Sequence, residues 1–380
     1  MFTIGFDRLI QEQSERLRGK RVGLLAHPAS LCANGDWSPQ RLRDWGGAEL
    51  AALFGPEHGL YGEGGAGDRV DSSRHPRWDI PIYSLYGEHR TPTASMLDGL
   101  DVLIVDLQDL AVRCYTFVST LRRVLLAADL AGLPVIVTDR PVPFPATLDG
   151  PMPGQGCESF VCEVAAPFVY GMTPSEAARW IATRESPGLD LQTIPMAGAA
   201  RDPQRPVGAP PWVPPSTGIR SWETAWCYPI TVFTEALPAL DCDRRGLLPF
   251  QVLGAPWMDG ERVARKINAV APSGVRVTPH EYVSADGVLL RGIRFVVTDA
   301  TLFRPVATGF LALQALQDLY GQEVLWSAPG TRPEFFDQLC GSPTPRAALI
   351  EGVPIAELEA QWQQDRATFK AERNECLLYE

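Results

Sequence analysis

The sequence predicts an α/β protein that begins with a parallel, doubly wound sheet and continues into a second, smaller α/β domain. Two β-branched apolar runs, 102–105 and 134–138, enclose a segment whose apolar residues recur at helical spacing. Strand, helix and strand in short alternation are joined by right-handed crossovers and form a parallel sheet. The length of 380 residues exceeds what one hydrophobic core usually serves. We therefore expect two domains, residues 1–227 and 228–380.

Two further strands are expected before that unit. The runs 21–26 and 50–54 are apolar almost throughout, which is typical of strands buried on both faces of a parallel sheet. Between them the sequence predicts a helix over 39–45. Thr116 is placed to cap the helix that follows the 102–105 strand.

The second domain is predicted from shorter patterns. Strand-like runs cover 230–233 and 294–298, and helical spacing covers 260–270 and 306–320. A last amphipathic helix has three apolar residues on one face: Ile355, Leu358 and Trp362.

A segment rich in Pro, Gly and Ala, 201–215, joins the two parts. We expect it to lie over the rim of the first sheet. Three tryptophans punctuate the region: Trp212, Trp222 and Trp226. An indole face can pack on the apolar face of a sugar ring, and ordinary packing within the fold explains these residues equally well.

Charge and cysteine usage narrow the function. A net charge of -11 and a pI near 5.1 argue against nucleic acid or an anionic membrane as a partner. The eight cysteines are scattered without a CxxC pair, which suits reduced thiols and no zinc knuckle. The first residues do not resemble a secretory signal, and no apolar run approaches the roughly 20 residues of a membrane helix. These observations predict a cytoplasmic protein.

Polar side chains follow four of the predicted strands at their carboxyl ends, where open α/β sheets bind ligands. A single acid in such a place often only caps the next helix. Several of them at one edge predict a polar cleft. The set is His27, Glu57 with His58, Asp106 with Gln108 and Asp109, and Asp139 with Arg140.

The loop after residue 54 is the expected centre of this cleft. A Gly-Pro pair ends the strand, and Glu57 and His58 then stand between Gly55 and Gly59. Two carboxylates across a cleft, one protonated and one ionised, are the minimum for splitting a glycosidic bond. Glu57 is one candidate, with His58 tuning its proton affinity, and Glu235 at the end of the 230–233 run is the other.

A metal site is the alternative that the residue types leave open. The donors would be His27, Glu57, His58, Asp106 and Asp109. The glycines at 62, 64 and 67 match a GxGxxG spacing, but no strand and helix flank them as a dinucleotide site requires. We expect a loop there.

Several stretches of the chain resemble a known family. They are LFGPEHGLYGEGGAGDRVDSS from residue 53, PIYSLYGEHRTPTASMLDGLDVLIVDLQDLAVRCYTFVSTL from residue 81, VTDRP from residue 137 and VLGAPW from residue 252. The family is the exo-β-N-acetylmuramidases of NamZ type, glycoside hydrolase family 171. The resemblance implies a Rossmann-like N-terminal domain, a smaller C-terminal α/β domain, and removal of terminal N-acetylmuramic acid from peptidoglycan fragments.

The resemblance also implies roles for particular residues. Glu57, His58 and Glu235 are the implied catalytic groups. The implied substrate-binding residues are Asp106, Gln108, Asp109, Arg113, Tyr115, Asp139 and Arg140. His27 joins this set from its place at the same predicted rim. Among them Arg113 and Arg140 are the cations expected to meet the lactyl carboxylate of a muramic sugar, unless Arg113 pairs with a neighbouring Asp instead. Beyond Glu235 the sequence departs from the family pattern, which leaves contacts from the second domain open.

The sequence therefore predicts an exo-acting glycoside hydrolase that acts on a muropeptide or amino-sugar disaccharide without a metal or other cofactor. Two rivals remain. One is a divalent-metal-dependent hydrolase, and the other is a muropeptide-binding protein that has lost turnover. The sequence makes no prediction of oligomeric state.

Overall fold

The first part of the molecule is a seven-stranded sheet with helices on both faces. The computed structural model describes all residues from 1 to 380. The strands of this sheet are β1 (Arg21–Leu25), β2 (Glu49–Gly55), β3 (Ser73–Arg74), β4 (Pro81–Ser84), β5 (Val102–Val105), β6 (Val135–Thr138) and β7 (Leu191–Ile194). The helices are α1 (Gly5–Glu12), α2 (Ser38–Trp45), α3 (Ala94–Leu97), α4 (Phe117–Ala131) and α5 (Pro174–Glu185).

The second part combines a small antiparallel sheet with seven helices. Its strands are β8 (Val252–Ala255), β9 (Val275–Val283) and β10 (Leu289–Val297), in the order β8-β10-β9. The helices are α6 (Trp222–Thr231), α7 (Gly260–Asn268), α8 (Pro305–Tyr320), α9 (Glu323–Trp326), α10 (Pro333–Cys340), α11 (Thr344–Ile350) and α12 (Ile355–Asn374). Short 3-10 turns cover Ser14–Arg16 and Val232–Glu235.

The large sheet has the order β3-β4-β2-β1-β5-β6-β7 and is parallel except for β3 at one edge. The chain builds outward from β1 through β2 to β4, and then returns to add β5 on the other side of β1. The order therefore reverses between β1 and β5, which is the switch point where doubly wound sheets usually open a crevice. The predicted two-domain α/β fold is confirmed.

The two faces of the large sheet have separate cores. An 18-residue apolar cluster packs beneath α1 and α2. The other face belongs to a cluster of 80 buried residues that continues without a break into α8, α10 and α12 of the second part. Because the two parts share this core, they present a continuous, packed floor between them. The division at residues 227 and 228 stays a prediction.

The prediction of a strand at 230–233 is wrong. Residues Ile230 and Thr231 end α6, and Val232–Glu235 form a 3-10 turn. The Ser221 side chain caps α6 by accepting from the Thr224 N–H. The absence of a side chain at Gly309 lets α8 approach the Ile230 carbonyl so closely that a Cβ there would lie 2.4 Å from its oxygen. This helix packing overrides the strand preference of a β-branched run.

The other predicted elements are confirmed to within a few residues. The helix expected at 306–320 is α8, closed by Gly321, and the strand expected at 294–298 is the end of β10. Ile355, Leu358 and Trp362 all lie buried on one face of α12. None of the helices combines the length and the apolar content needed to cross a bilayer.

Candidate active site

A cleft of about 630 Å³ lies between the two parts of the molecule. This volume is in the range of sites that hold a small ligand. The first part contributes Glu57, His58 and Tyr115 to its lining, and the second part contributes Glu235. The structure thus brings together all three residues predicted to be catalytic.

A tight turn after β2 displays Glu57 and His58. His58 has a φ of 73° and Gly59 a φ of 83°, so the chain reverses through two left-handed residues. A side chain at Gly55 would place its Cβ 2.6 Å from the Leu60 nitrogen. The positive φ of His58 is costly for a residue other than Gly, and such strain often accompanies functional sites. The His58 Nδ1 lies 3.1 Å from the Gly64 carbonyl oxygen and ties the following loop to the turn.

Both carboxylate oxygens of Glu57 have partners. The Gly67 N–H donates to Oε1 at 2.8 Å, and the Thr116 hydroxyl donates to Oε2. The Tyr86 ring lies beside this carboxylate, and burial together with the Glu57 charge raises the pKa of Tyr86 to about 12. Thr116 does precede α4, but its hydroxyl makes no capping bond. Its side chain serves Glu57 instead of the helix.

Glu235 faces the same cleft from the end of the 3-10 turn. Its carboxylate forms an ion pair with Arg244, and its backbone carbonyl accepts from the Arg332 guanidinium. Burial raises the pKa of Glu235, while the charge of Arg244 opposes the rise and that of Glu57 adds to it. Glu235 was expected from the sequence, although at the end of a strand.

The switch point between β1 and β5 is closed. His27 Nε2 accepts from the Gln108 N–H at 2.9 Å, so the imidazole carries its proton on Nδ1. Burial, followed by the nearby Arg140 charge, lowers the pKa of His27 well below its usual value. The segment 201–215 covers this rim as predicted and leaves a space of about 10 Å³, which Gln108 and Arg140 help to line. That space holds at most about one water molecule.

Arg140 and Asp106 neutralise each other at the bottom of this rim. The guanidinium donates to both Asp106 oxygens at 2.7 Å, and the two side chains are 1% and 0% exposed. Arg140 also donates to the Leu31 carbonyl. Neither residue lines the cleft, so the structure does not bring them to it, and their contact with substrate stays a prediction.

Asp109 and Asp139 are buried in the same way. The Tyr170 hydroxyl and the Leu110 N–H donate to Asp109, and burial raises the pKa of Asp109 to about 6. Asp139 accepts from the Thr173 hydroxyl, the Ser175 N–H and the Tyr379 hydroxyl. Burial, followed by the charge of Glu176, raises the pKa of Asp139 to about 7. Neither carboxylate lines the cleft.

Arg113 joins the two parts and does not bind at the cleft surface. It is fully buried, and no aspartate pairs with it. Its guanidinium donates to four carbonyl oxygens, those of Pro151, Ala166, Leu339 and Cys340. Arg113 therefore makes structural contacts, and the Asp pairing that the sequence left open does not occur. Its contact with substrate stays a prediction.

The donors of the alternative metal site are not brought together. Asp106 is occupied by Arg140, and His27 Nε2 by Gln108. No three His, Cys, Asp or Glu side chains are arranged to hold a metal ion.

The three tryptophans pack within the fold. The Nε1 groups of Trp222 and Trp226 both donate to the Pro203 carbonyl, and that of Trp212 donates to Ile219. None of these indoles lines the cleft. All three line a separate surface pocket of about 420 Å³, so they pack within the fold and also border open space.

Comparison with known proteins decides the family. Two models described as exo-beta-N-acetylmuramidase NamZ match the chain, the N-terminal one over residues 22–223 and the C-terminal one over residues 226–379. The chain belongs to the NamZ family. Glu57 falls in the part matched by the N-terminal model and Glu235 in the part matched by the C-terminal model, so both matched parts of the chain contribute to the cleft.

Individual relatives agree with this assignment. The chain is 30% identical to the peptidoglycan β-N-acetylmuramidase NamZ of Bacillus subtilis (strain 168), over 99% of this chain and 91% of that protein. Two crystal structures of DUF1343 family proteins from Bacteroides fragilis NCTC 9343 share the fold. One is 26% identical with a TM-score of 0.91, and the other is 23% identical with a TM-score of 0.77. Each comparison covers 100% of this chain and 99% of that chain.

Several residues of this NamZ-family cleft were not found from the sequence. Tyr86 and Arg90 follow β4, which lies parallel to β2 and ends at the same rim. The short run PIYS before them was the available signal. Gly67 belongs to the glycine-rich loop, and its role as a donor to Glu57 has no signature in sequence. Arg244 and Arg332 reach the cleft through the fold of the second part.

Proposed function

We propose that this chain is an exo-acting β-N-acetylmuramidase that releases terminal N-acetylmuramic acid from peptidoglycan fragments, with a muropeptide or amino-sugar disaccharide as substrate. Membership of the NamZ family gives the reaction class, glycoside hydrolysis. The observation that carries the proposal is the meeting of two glutamates, Glu57 and Glu235, across one cleft of suitable volume. Glycoside hydrolysis by a carboxyl pair requires this arrangement.

The partners of the two glutamates suggest different roles. Thr116 can accept a hydrogen bond as well as donate one, so a protonated Glu57 keeps its partner. Arg244 can only donate, so Glu235 is held as an acceptor. We assign proton donation to the leaving oxygen to Glu57 and the positioning of water, or of the substrate acetamide, to Glu235. A pKa above the usual value makes Glu235 the stronger base for this role.

His58 holds the loop that contacts Glu57. Its bond to Gly64 holds the loop from which Gly67 reaches Glu57. We propose that His58 fixes the position of the acid and tunes its proton affinity. Tyr115, which lines the cleft next to Thr116, is the one member of the predicted substrate-binding set that keeps this role in the proposal.

The test uses two chromogenic glycosides with purified protein. One is a 4-nitrophenyl β-N-acetylmuramoside, and the other is the matching β-N-acetylglucosaminide. Release from the muramoside with little release from the glucosaminide supports the proposal. Release from neither, together with tight binding of N-acetylmuramic acid, would instead establish the binding protein without turnover.

A chelator distinguishes the proposed glycosidase from a divalent-metal-dependent hydrolase. Activity on the muramoside is measured before and after incubation with EDTA, and again after divalent ions are returned. We expect no change, because no carboxylate and imidazole cluster is positioned to hold a metal ion. Loss with EDTA and recovery with one ion would overturn the assignment of Glu57 and Glu235.

We also propose a reducing compartment, the cytoplasm, as the location. All eight cysteines are free thiols, and seven of them are buried. Such usage is typical of proteins kept reduced. Fractionation of cells that express a tagged chain tests this directly, and recovery from the culture medium or the cell envelope would contradict it.

A further inference from the structure

The cleft contains more positive charge than the sequence indicated. Three arginines contribute to its lining, Arg90, Arg244 and Arg332. Both arginines that were expected to meet a substrate carboxylate, Arg113 and Arg140, are buried and do not line this cleft. N-acetylmuramic acid differs from N-acetylglucosamine by a lactyl ether that ends in a carboxylate. If the site accepts the former sugar, the three lining arginines are the side chains best suited to this group, because each is a cation with N–H donors.

Two of the three already have partners around Glu235. Arg244 forms an ion pair with the Glu235 carboxylate. Arg332 donates to the Glu235 backbone carbonyl, and its guanidinium carbon lies 4.5 Å from the centroid of the Phe335 ring. These two residues therefore support the second glutamate, and drawing either one to a substrate would disturb that support.

Arg90 is different because no carboxylate or carbonyl group of the protein accepts a hydrogen bond from it. Its guanidinium carbon lies 4.6 Å from the centroid of the Tyr86 ring and 4.8 Å from that of Phe160. The two rings are themselves 5.5 Å apart and form one aromatic seat. Stacking uses the face of a guanidinium and leaves its in-plane N–H donors free. Arg90 is thus held in place with its donor fork unoccupied.

The aromatic seat of Tyr86 and Phe160 also places Arg90 near Glu57, the proposed acid. Tyr86 lies beside the Glu57 carboxylate at its hydroxyl end and supports Arg90 on its ring. One tyrosine ring therefore separates Arg90 from the proposed acid, and a pyranose ring has a similar width. Glu57 and Arg90 line the same cleft, so a sugar bound with its anomeric carbon at Glu57 can present a ring substituent to Arg90. The lactyl ether is such a substituent, attached at C3.

We infer that Arg90, seated on Tyr86 and Phe160, binds the lactyl carboxylate and selects N-acetylmuramic acid over N-acetylglucosamine. This inference rests on the proposed function and adds the residue that recognises the distinguishing group. A planar guanidinium with two parallel N–H donors is the side chain best matched to a carboxylate. The same seat gives a neutral C3 hydroxyl no comparable partner.

The test pairs a residue change with a substrate change. We would measure kcat/KM of the wild type and of Arg90→Gln on the chromogenic muramoside and on the same compound with its lactyl carboxylate converted to the neutral amide. We expect Arg90→Gln to lose about 30-fold on the acid, which corresponds to about 2 kcal/mol, and at most about threefold on the amide. Arg90→Lys keeps the charge without the fork and should recover part of the loss.

An exposed arginine far from the cleft provides the matched control. Arg276 lies on β9 and does not line the site, so Arg276→Gln should leave both rates unchanged. Equal losses by Arg90→Gln on the acid and on the amide would overturn the inference, because the residue would then act through packing alone. Retention of the full wild-type rate on the acid would overturn it as well.

Failure of the proposed function can be told apart from failure of this inference. If the wild type hydrolyses neither compound, the glycosidase proposal fails. The inference is then decided by calorimetric binding of free N-acetylmuramic acid and of its lactyl amide. Weaker binding of the acid by Arg90→Gln, with unchanged binding of the amide, would support Arg90. Identical affinities of the two proteins for the acid, or no binding by the wild type, would reject it.

Discussion

The switch point and the cleft are both polar, but their charged side chains have different surroundings. At the switch point between β1 and β5, the polar residues face each other, and Arg140 and Asp106 leave no exposed group. In the cleft beside β2 and β4, Glu57, Arg90 and Glu235 face open space. Both regions stand at the carboxyl ends of parallel strands. The difference teaches that this edge of the sheet can serve as a structural joint as well as a binding site.

The sharpest test of this contrast is Glu57→Gln. If the cleft performs the chemistry, the amide cannot donate the proton, and kcat/KM on the muramoside should fall by about 10²- to 10⁴-fold. The free energy of unfolding should change little, because the replacement keeps the size of the side chain. Both quantities are measured on the same preparation, by chromophore release and by urea titration.

The control for Glu57→Gln lies on the same loop. Glu63 is exposed and accepts only from the Tyr61 N–H, so Glu63→Gln should keep the wild-type rate. Near-normal turnover by Glu57→Gln would show that the cleft carboxylate is not the acid.

At the switch point between β1 and β5, we expect a mutation to lower the stability and to leave the rate unchanged. Arg140→Met leaves the Asp106 carboxylate buried without its counter-charge, and we expect about 3–5 kcal/mol of lost stability. Urea unfolding measures this loss, and the rate per folded molecule should stay close to that of the wild type. Replacing the pair together, as Arg140→Met with Asp106→Leu, should recover much of the stability because no lone charge remains.

One result for Arg140 would contradict the view that the switch point is purely structural. If Arg140→Met unfolds at the wild-type urea concentration but raises KM for the muramoside, then Arg140 reaches substrate in solution and the rim is not closed.

Thr116→Val tests whether the acid depends on its neighbour. The change removes the hydroxyl that donates to Glu57 and keeps the shape, so we expect kcat to fall about tenfold, in line with the loss of one hydrogen bond to a charged group. The pH dependence of kcat should shift as well, because a hydrogen-bond donor beside a carboxylate favours its charged form. Thr116→Ser restores a hydroxyl and should recover most of the rate. A pH profile identical to the wild type would mean that Thr116 only packs.

The last expected effect is a pH dependence of stability from Asp139. Its pKa in the folded protein is about 7, above the usual value near 3.9, so the folded state binds its proton more tightly than the unfolded state. The stability that this proton contributes is complete below about pH 4 and is lost as the pH rises toward and through 7. Asp139→Asn should therefore gain stability relative to the wild type between pH 5 and pH 8. Urea titration at both values measures the difference, and a constant difference would show that Asp139 does not titrate in this range.

Sequence reasoning located the edge of the sheet correctly but could not say which groups there were free. The strand ends at His27, Glu57, Asp106 and Asp139 were all found, because buried parallel strands have a clear apolar signature. That Asp106 would pair with Arg140 depends on the spacing of β5 and β6 in the folded sheet. Closure of the rim depends further on a proline-rich segment about 70 residues beyond Arg140.

Glu235 and Arg90 illustrate two further limits of predicting this site from the sequence. Glu235 was found as a residue but assigned to a strand, since β-branched neighbours favour that structure locally while packing against α8 decides the outcome. Arg90 was not singled out at all. Its place on Tyr86 and Phe160 joins side chains more than 70 residues apart, and no local pattern announces such a seat.

The burial of Arg113 sets how the cleft can be entered. One guanidinium holds carbonyl groups on both sides of the floor, at Pro151 and Ala166 on one side and at Leu339 and Cys340 on the other. Swinging the two walls apart would strand these donors without partners, at a cost that a hinge motion in ordinary turnover does not bear. The width of the gap between the two walls is therefore held constant by the Arg113 hydrogen bonds. We therefore expect the width of this gap to limit which sugars can enter.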